Sequence, residues 1–258
     1  MKLVGDRIVL RRVTAADLPT LIAILREPAV AARWSAPDDE GDRALLAGED
    51  GDGAERITTW AITLDGAIVG WIAGWEKLEP DYRHAGIDLF VATDHHRKGI
   101  GPEAIALVCR HLFEQAGHHR ITIDPAADNV AAIRAYEKVG FRAVGVLRRY
   151  ERGADGTFHD GLLMDLLPED LELPRSPAGP LRIVPARGSL RWAIGDRVLD
   201  GSEIVELCCS GGWLTGRFEW NGTVDARPTF HFSVERGGAD VAPHTIPIPE
   251  GAILRRAQ

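Results

Sequence analysis

Over residues 7–13 apolar and charged side chains alternate, the pattern of a strand with one buried and one wet face. Thr14, with Asp17 three positions on, reads as a capping box. Leu18, Leu21, Ile22 and Leu25 then recur at helical spacing and predict a helix. A second short helix is expected through residues 30–34, followed by an acidic loop over 38–55. Strands 57–64 and 67–76 flank Asp65-Gly66, a dipeptide that favours a tight type I′ hairpin. Strand 86–92 leads directly into HHRKGIG and a long apolar-periodic helix, 102–116. Next come strand 120–124, a helix over 128–139 capped by Asp128 and ended by Gly140, and strands 141–150 and 157–167. The string β-α-α-β-β-β-α-β-α-β-β predicts an α+β domain: a mostly antiparallel sheet flanked by helices, which enter only where a crossover is needed.

Helical periodicity stops at residues 168–180, where PEDLELPRSPAGP carries four prolines. The expected organisation is a domain over 1–168, a linker over 169–180 and a small all-β barrel or sandwich over 181–258. Short strands are expected there at 191–194, 203–207, 213–220 and 229–234. Trp192, Trp213, Phe218, Trp220, Phe230 and Phe232 are enough aromatics to fill a small core. The competing use for this domain is an interface, for a homodimer or as a wall over a substrate cleft.

Composition narrows the function. With 45% hydrophobic and 26% charged residues the chain is that of an ordinary globular protein. Charges interrupt the N-terminal apolar residues too early for a signal-peptide core, so a cytoplasmic protein with no membrane association is expected. Cys109, Cys208 and Cys209 have no metal or redox spacing and read as reduced structural cysteines. A net charge of −8 argues against nucleic acid and favours a cationic partner. Residues 1–168 hold 26 acidic against 20 Lys and Arg residues, and eight of the acidic ones cluster between Asp38 and Glu55. That loop either steers a polyamine or is simply solvated.

The basic turn His96-Arg97-Lys98-Gly99-Ile100-Gly101 between a strand and a helix can present successive N–H groups and a helix N-terminus to a pyrophosphate. Glycines also occur at such junctions for steric reasons alone, so both readings stand. Asn129 and Tyr136 lie seven residues apart on one helix face, with Ile133 between them toward the sheet. Tyr136 either packs there or reacts. His95-His96 and His118-His119 point apart within each pair and do not suggest metal ligands.

Together these segments resemble the acetyl-CoA-binding core of the GNAT superfamily over roughly residues 5–167. The resemblance implies that residues 96–101 hold the pyrophosphate of acetyl-CoA and that the strand around Phe90 and Val91 pairs with the pantetheine arm. It also implies that Asn129 and Ile133 bind that arm and that Tyr136 lies beside the thioester sulfur. His96 stands where the family usually has Arg or Gln. Gly86-Ile87-Asp88, Asp124-Pro125 and Asn129-x-x-x-Ile133-Arg134-x-Tyr136-Glu137-Lys138-x-Gly140-Phe141 further resemble the aminoglycoside 6′-N-acetyltransferases. By that resemblance Asp88 is a base, Tyr136 an acid, and Trp34, Asp88 and Asp124 contact the aminoglycoside. The acidic, Trp-bearing segment before the GID motif is shortened, leaving Glu76, Glu79 and Asp81 as substitutes.

The expected chemistry is acetyl transfer to a primary amine, with a backbone N–H at Phe90 or Val91 binding the developing oxyanion. Tyr136 would protonate the departing thiolate. An unshifted aspartate is a poor base for an ammonium group, so Asp88 acts as a base or only orients the amine. Rival readings are acetylation of protein N-termini, of another small polyamine or of a siderophore precursor, and a non-catalytic acyl-CoA-binding module.

Overall fold

The first strands meet as an antiparallel hairpin. β1 (Lys2–Val4), which the sequence pattern did not announce, pairs with β2 (Ile8–Arg12). Next in the sheet come β3 (Glu55–Leu64) and β4 (Ala67–Lys77), turning at Asp65 (φ 50°) and Gly66 (φ 86°). Two successive positive φ angles are what a type I′ turn requires, and Asp-Gly accepts them at least cost. β5 (His84–Val91), β6 (Ile121–Ile123), β7 (Arg142–Arg152) and β8 (Phe158–Leu166) complete one sheet in the order β1-β2-β3-β4-β5-β6-β8-β7. Every pairing is antiparallel except β5 with β6.

In this computed structural model the described residues are 2–34, 39–48, 55–153, 156–173, 179–186, 189–194, 197–199, 201–209, 212–221, 226–233 and 244–256. The chain divides into two units, Met1–Pro174 and Arg175–Gln258.

In the first unit the helices are α1 (Leu18–Leu25), α2 (Pro28–Ala31), α3 (Asp39–Ala47), α4 (Ile100–Glu114) and α5 (Val130–Glu137). They cover the two sheet faces separately. Ile8, Trp60, Ile72 and Ile87 pack with Ala104, Ile105 and Val108 of α4 and Tyr136 of α5. On the opposite face Trp71, Ala73 and Phe90 pack with Leu21 and Leu25 of α1 and with Leu46 of α3. Trp60 and Trp71 are fully buried, one on each face. Truncating such a core tryptophan to alanine typically costs about 3–5 kcal/mol.

Two expectations are corrected. Part of the acidic stretch is not a loop: residues 39–47 form α3. Trp71 Nε1 donates to Leu46 O at 3.2 Å and Thr59 Oγ1 to Ala47 O at 3.2 Å, so the sheet satisfies two carbonyls of its last turn. Asp38, Glu49, Asp50 and Asp52, four of the eight acidic residues of that stretch, lie outside the described residues. The N-cap of α5 is Asn129, whose Oδ1 accepts from Ala132 N at 3.2 Å, while Asp128 pairs with Arg33 at 2.6 Å. At the other end Arg11 and Thr14 N–H both bond the Asp17 carboxyl, so the chain entering α1 is tied to β2. The guanidinium holds that carboxyl well below the usual carboxylate range.

The second unit is all β. Strands β9 (Gly179–Ala186), β10 (Ser189–Ile194), β11 (Arg197–Val198), β12 (Ser202–Cys209), β13 (Gly212–Glu219), β14 (Thr229–Phe232), β15 (His244–Pro247) and β16 (Ile253–Arg256) form an antiparallel sheet in the order β11-β10-β9-β16-β12-β13-β14-β15. Trp192 of β10 and Phe230 of β14 share one core with Phe218 and Leu254, so the sheet curls to bring its distant strands together.

Candidate active site

The sheet opens between β5 and β6. Among the described residues they pair only at Ala85↔Ile121 and Gly86↔Thr122, and β5 continues five residues beyond with no strand partner on that side. The cause is in the chain after β6. Pro125 has no N–H to offer, its carbonyl accepts from Leu162 N at 2.8 Å, and Ala127 N donates to Asp160 O at 2.8 Å. The segment therefore follows β8 and leaves β5.

Backbone direction decides which groups line the gap. Ala92 N donates to Val69 O and Ala85 N to Arg120 O, so by alternation Phe90 and Asp88 turn their backbone groups to β4 while Ile87, Leu89 and Val91 turn theirs to the gap. The Phe90 N–H is thus committed to the ladder and is not an oxyanion donor; Val91 N–H is the one that faces the gap. Leu89 N–H is held by Asp88 Oδ1 at 2.9 Å. His96 Nε2 is 2.7 Å from Val91 O, and since a carbonyl only accepts, that nitrogen carries the proton. His96 braces the strand end rather than offering its ring to a phosphate.

The basic turn follows at once. A one-turn helix, Thr93–His95, is succeeded by Arg97 (φ 59°) and Gly99 (φ 78°), both left-handed, and Gly99 caps α4. Backbone of this kind can present N–H groups to an anion, here at the start of a 15-residue helix. Arg7 lies behind the turn, donating from Nη1 to Lys98 O at 2.5 Å and from Nε to Glu103 Oε2 at 3.1 Å. A Cβ on Gly99 would sit 2.8 Å from Arg7 Nη2. The Arg97 and Lys98 side chains are exposed, and Ile100 is buried beneath them.

Helix α5 carries Asn129 at its N-cap, half-buried Ile133 and buried Tyr136; the last two pack in the core that also holds Ile87 and Leu89 of β5. Capping engages only Oδ1 of Asn129, so its amide donors stay available. Tyr136 packs edge-on to Phe141 at 5.6 Å. Burial, then the charges of Asp88 and Asp124, push its phenol well above the usual range and keep it neutral.

Asp88 is the electrostatic centre. Asp88 is exposed to solvent, yet protein atoms crowd its carboxyl and thin its hydration. Desolvation pushes the carboxyl up to about 7, the Leu89 N–H opposes, and the charges of Asp124 and Glu151 add to the rise. Asp124 in turn accepts from Tyr150 Oη at 3.0 Å. Tyr150 and Glu151, both on β7, were not among the residues expected from sequence. Strand alternation sends such neighbours to opposite faces; β7 is irregular against β8 between Leu147 and Glu151, Tyr150 reaches Asp124, and the Glu151 charge acts on Asp88.

The remaining expected acceptor residues separate. Trp34 is half-buried on the face of β5 that carries Asp88, edge-on to Trp71 (5.8 Å) and Phe90 (5.5 Å). Glu79 and Asp81 lie exposed on the turn before β5. Glu76 is not a substitute for the shortened segment: it is buried against His118 Nε2 at 2.8 Å. An unanticipated neighbour is Trp75, whose ring crosses Gly86; a Cβ there would come within 2.1 Å of it. The glycine of the GID triplet is required by that ring.

A split strand pair, a left-handed phosphate-type turn at a helix start and a neutral buried tyrosine beside a raised carboxyl define an acyl-CoA-dependent transferase. The chain belongs to the GNAT acetyltransferases: the family described as Acetyltransferase (GNAT) domain matches residues 7–142, more than half of its length. It is an N-acetyltransferase, and enzymes of this family use acetyl-CoA. Among curated proteins it is similar to the uncharacterized N-acetyltransferase YoaA of Bacillus subtilis (strain 168), 28% identical over 151 residues, 56% of this chain and 85% of that protein. Among solved structures it is similar to AAC(6')-Ib in complex with paromomycin and acetyl-CoA, at 25% identity and a TM-score of 0.52, covering 64% of this chain and 96% of the other. Mycobacterium smegmatis RimJ in complex with CoA-disulfide shares the fold at 23% identity and a TM-score of 0.54, covering 66% and 88%. Among the described residues, no helix is long and apolar enough to cross a membrane.

Proposed function

We propose that this enzyme acetylates a primary amine of an aminoglycoside, the 6′-amine by resemblance, as an antibiotic-resistance activity. The observation that carries the reading is that Asp124, bonded to Tyr150 Oη at 3.0 Å, and Glu151 both act on the Asp88 carboxyl, while Asp88 and Asp124 act on Tyr136. Three carboxyl groups at the end of a thioester slot suit an acceptor with several ammonium groups, which would relieve their mutual repulsion.

The donor, acetyl-CoA, supplies an activated acetyl thioester. The free edge of β5 offers Val91 N–H and Leu89 C=O to the pantetheine arm, Asn129 adds side-chain N–H donors, and residues 96–101 face the pyrophosphate. Holding donor and amine side by side supplies much of the rate. Asp88, titrating near neutrality, is a far better acceptor for an ammonium proton than an ordinary aspartate near pKa 4. Tyr136 stays protonated and donates toward the sulfur. The desolvation and carboxylates that raise its own pKa also raise that of a thiolate beside it, so the proton transfer stays near balance. The second unit is proposed as a separate small β domain with a core of its own.

Release of free thiol from acetyl-CoA, measured against aminoglycosides, linear polyamines and N-terminal peptides, tests the proposal. Turnover is expected to be fastest with an aminoglycoside, and Tyr136→Phe should lower kcat about a hundredfold while moving the acceptor KM less than about threefold. Turnover confined to peptides would replace this acceptor with a protein N-terminus.

A further inference from the structure

Strand β7 departs from regular geometry where it passes the gap. Its register with β8 runs from Leu147↔Gly161 to Glu151↔His159, so Arg148, Arg149 and Tyr150 together oppose the single residue Asp160. Arg149 is left-handed at φ 52°, a conformation a non-glycine residue holds only when its surroundings impose it. The imposing contact is the Asp160 carboxylate, whose Oδ1 accepts from Arg149 N at 2.7 Å. The Asp160 carbonyl meanwhile accepts from Ala127 N at 2.8 Å. One residue thus anchors both the bulge and the segment that follows β6.

The bulge has a consequence for side chains. In a regular strand Tyr150 would alternate away from its neighbours; here its ring crosses Gly161, where a Cβ would lie 3.1 Å from Tyr150 Cδ1, and its hydroxyl reaches Asp124 Oδ2 at 3.0 Å. About half of the Tyr150 surface remains exposed. Asp124 sits directly before Pro125, at the point where the chain leaves β5.

We propose that Tyr150 is an acceptor-positioning residue: its hydroxyl, delivered by the β7 bulge, fixes the Asp124 carboxylate and leaves Oδ1 to receive an ammonium group of the acceptor. The proposal rests on the polycationic-amine reading above and adds a residue and a mechanism of selectivity to it. A carboxylate held by a charge-assisted hydrogen bond loses little further freedom on meeting a cation, so affinity is gained through preorganisation. An acceptor with several amines, one at the thioester and another at Asp124, uses this contact. A monoamine of the same ring size has no second cation for it. Tyr150 therefore selects for the second amine and not for the reacting one.

The test compares the full-length wild type with Tyr150→Phe, Asp124→Asn and the double variant. The acceptors are kanamycin and the monoamine 6-amino-6-deoxyglucose. For kanamycin, Tyr150→Phe should raise KM about tenfold, the scale of one hydrogen bond to a charged group, with kcat changed less than about twofold. The monoamine KM, the acetyl-CoA KM and the thermal midpoint should stay within about twofold or a degree of wild type, and the double variant should be no worse than Asp124→Asn alone. An unchanged kanamycin KM, or an equal rise for both acceptors, overturns the assignment of Tyr150. Activity of the wild type on peptides with none on either amine overturns instead the acceptor reading on which it rests. Alkaline titration of tyrosine absorbance decides the contact without any acceptor. Desolvation first and the Asp124 carboxylate second hold the Tyr150 phenol up, and that carboxylate also raises Tyr136; of the three phenols, the transition that Tyr150→Phe removes should move toward its ordinary pKa in Asp124→Asn, and if it does not move the pair is overturned.

Discussion

Asp88 is a residue whose stability and use oppose each other. Its carboxyl is raised to about 7, so between an unfolded value near 4 and that point the folded state holds its proton more tightly than the unfolded chain does. The stabilising contribution is complete below about pH 4 and is lost as pH rises through 7. Asp88→Asn removes this loss. The thermal midpoint of the variant should gain on wild type across pH 4 to 7, with the full gain above 7, as differential scanning calorimetry would read. Activity runs the other way, because the carboxylate is the form that takes a proton. The acid limb of kcat/KM should inflect near 7, and Glu151→Gln should move it to lower pH by withdrawing a charge that now raises Asp88. An acid limb unaffected by Glu151→Gln would remove that residue from the site.

At the scale of elements, two devices build the slot: the departure of the chain from β5 at Pro125, and the sharp end of α5. Gly140 (φ 103°) lets Phe141 N bond back to Tyr136 O at 3.2 Å, and a Cβ there would stand 1.9 Å from Asp170 O. Gly140→Ala should therefore cost more than about 2 kcal/mol, seen as a lowered urea midpoint at unchanged slope. Glycine and proline punctuation, strand alternation and the Asp-Gly turn made most of this architecture legible in the sequence, because each acts over a few neighbouring residues. α3 escaped detection because Leu46 is the one buried side chain described in it, and the bonds that finish the helix come from β3 and β4. Asn129, Tyr136 and the turn at 96–101 could be named from motifs, whereas Tyr150 and Glu151 could not. Their place near the gap depends on Asp160, a long-range partner across a bulge, which no periodicity records. The same reason hid the commitment of Glu76 to His118.

For the molecule as a whole, the first unit holds every group proposed here for chemistry, and the curled all-β unit contributes a second core of its own. The account turns on the unpaired edge of β5 serving as the binding surface for the pantetheine arm, through Val91 N–H. Val91→Pro removes that single donor, and because it faces the gap rather than β4, the ladder loses no bond. Isothermal titration of coenzyme A into wild type and Val91→Pro is the most direct measurement. Saturable binding to the wild type is expected, with at least about tenfold weaker binding to the variant at the same thermal midpoint. Equal affinities, or no binding by the wild type, would contradict it.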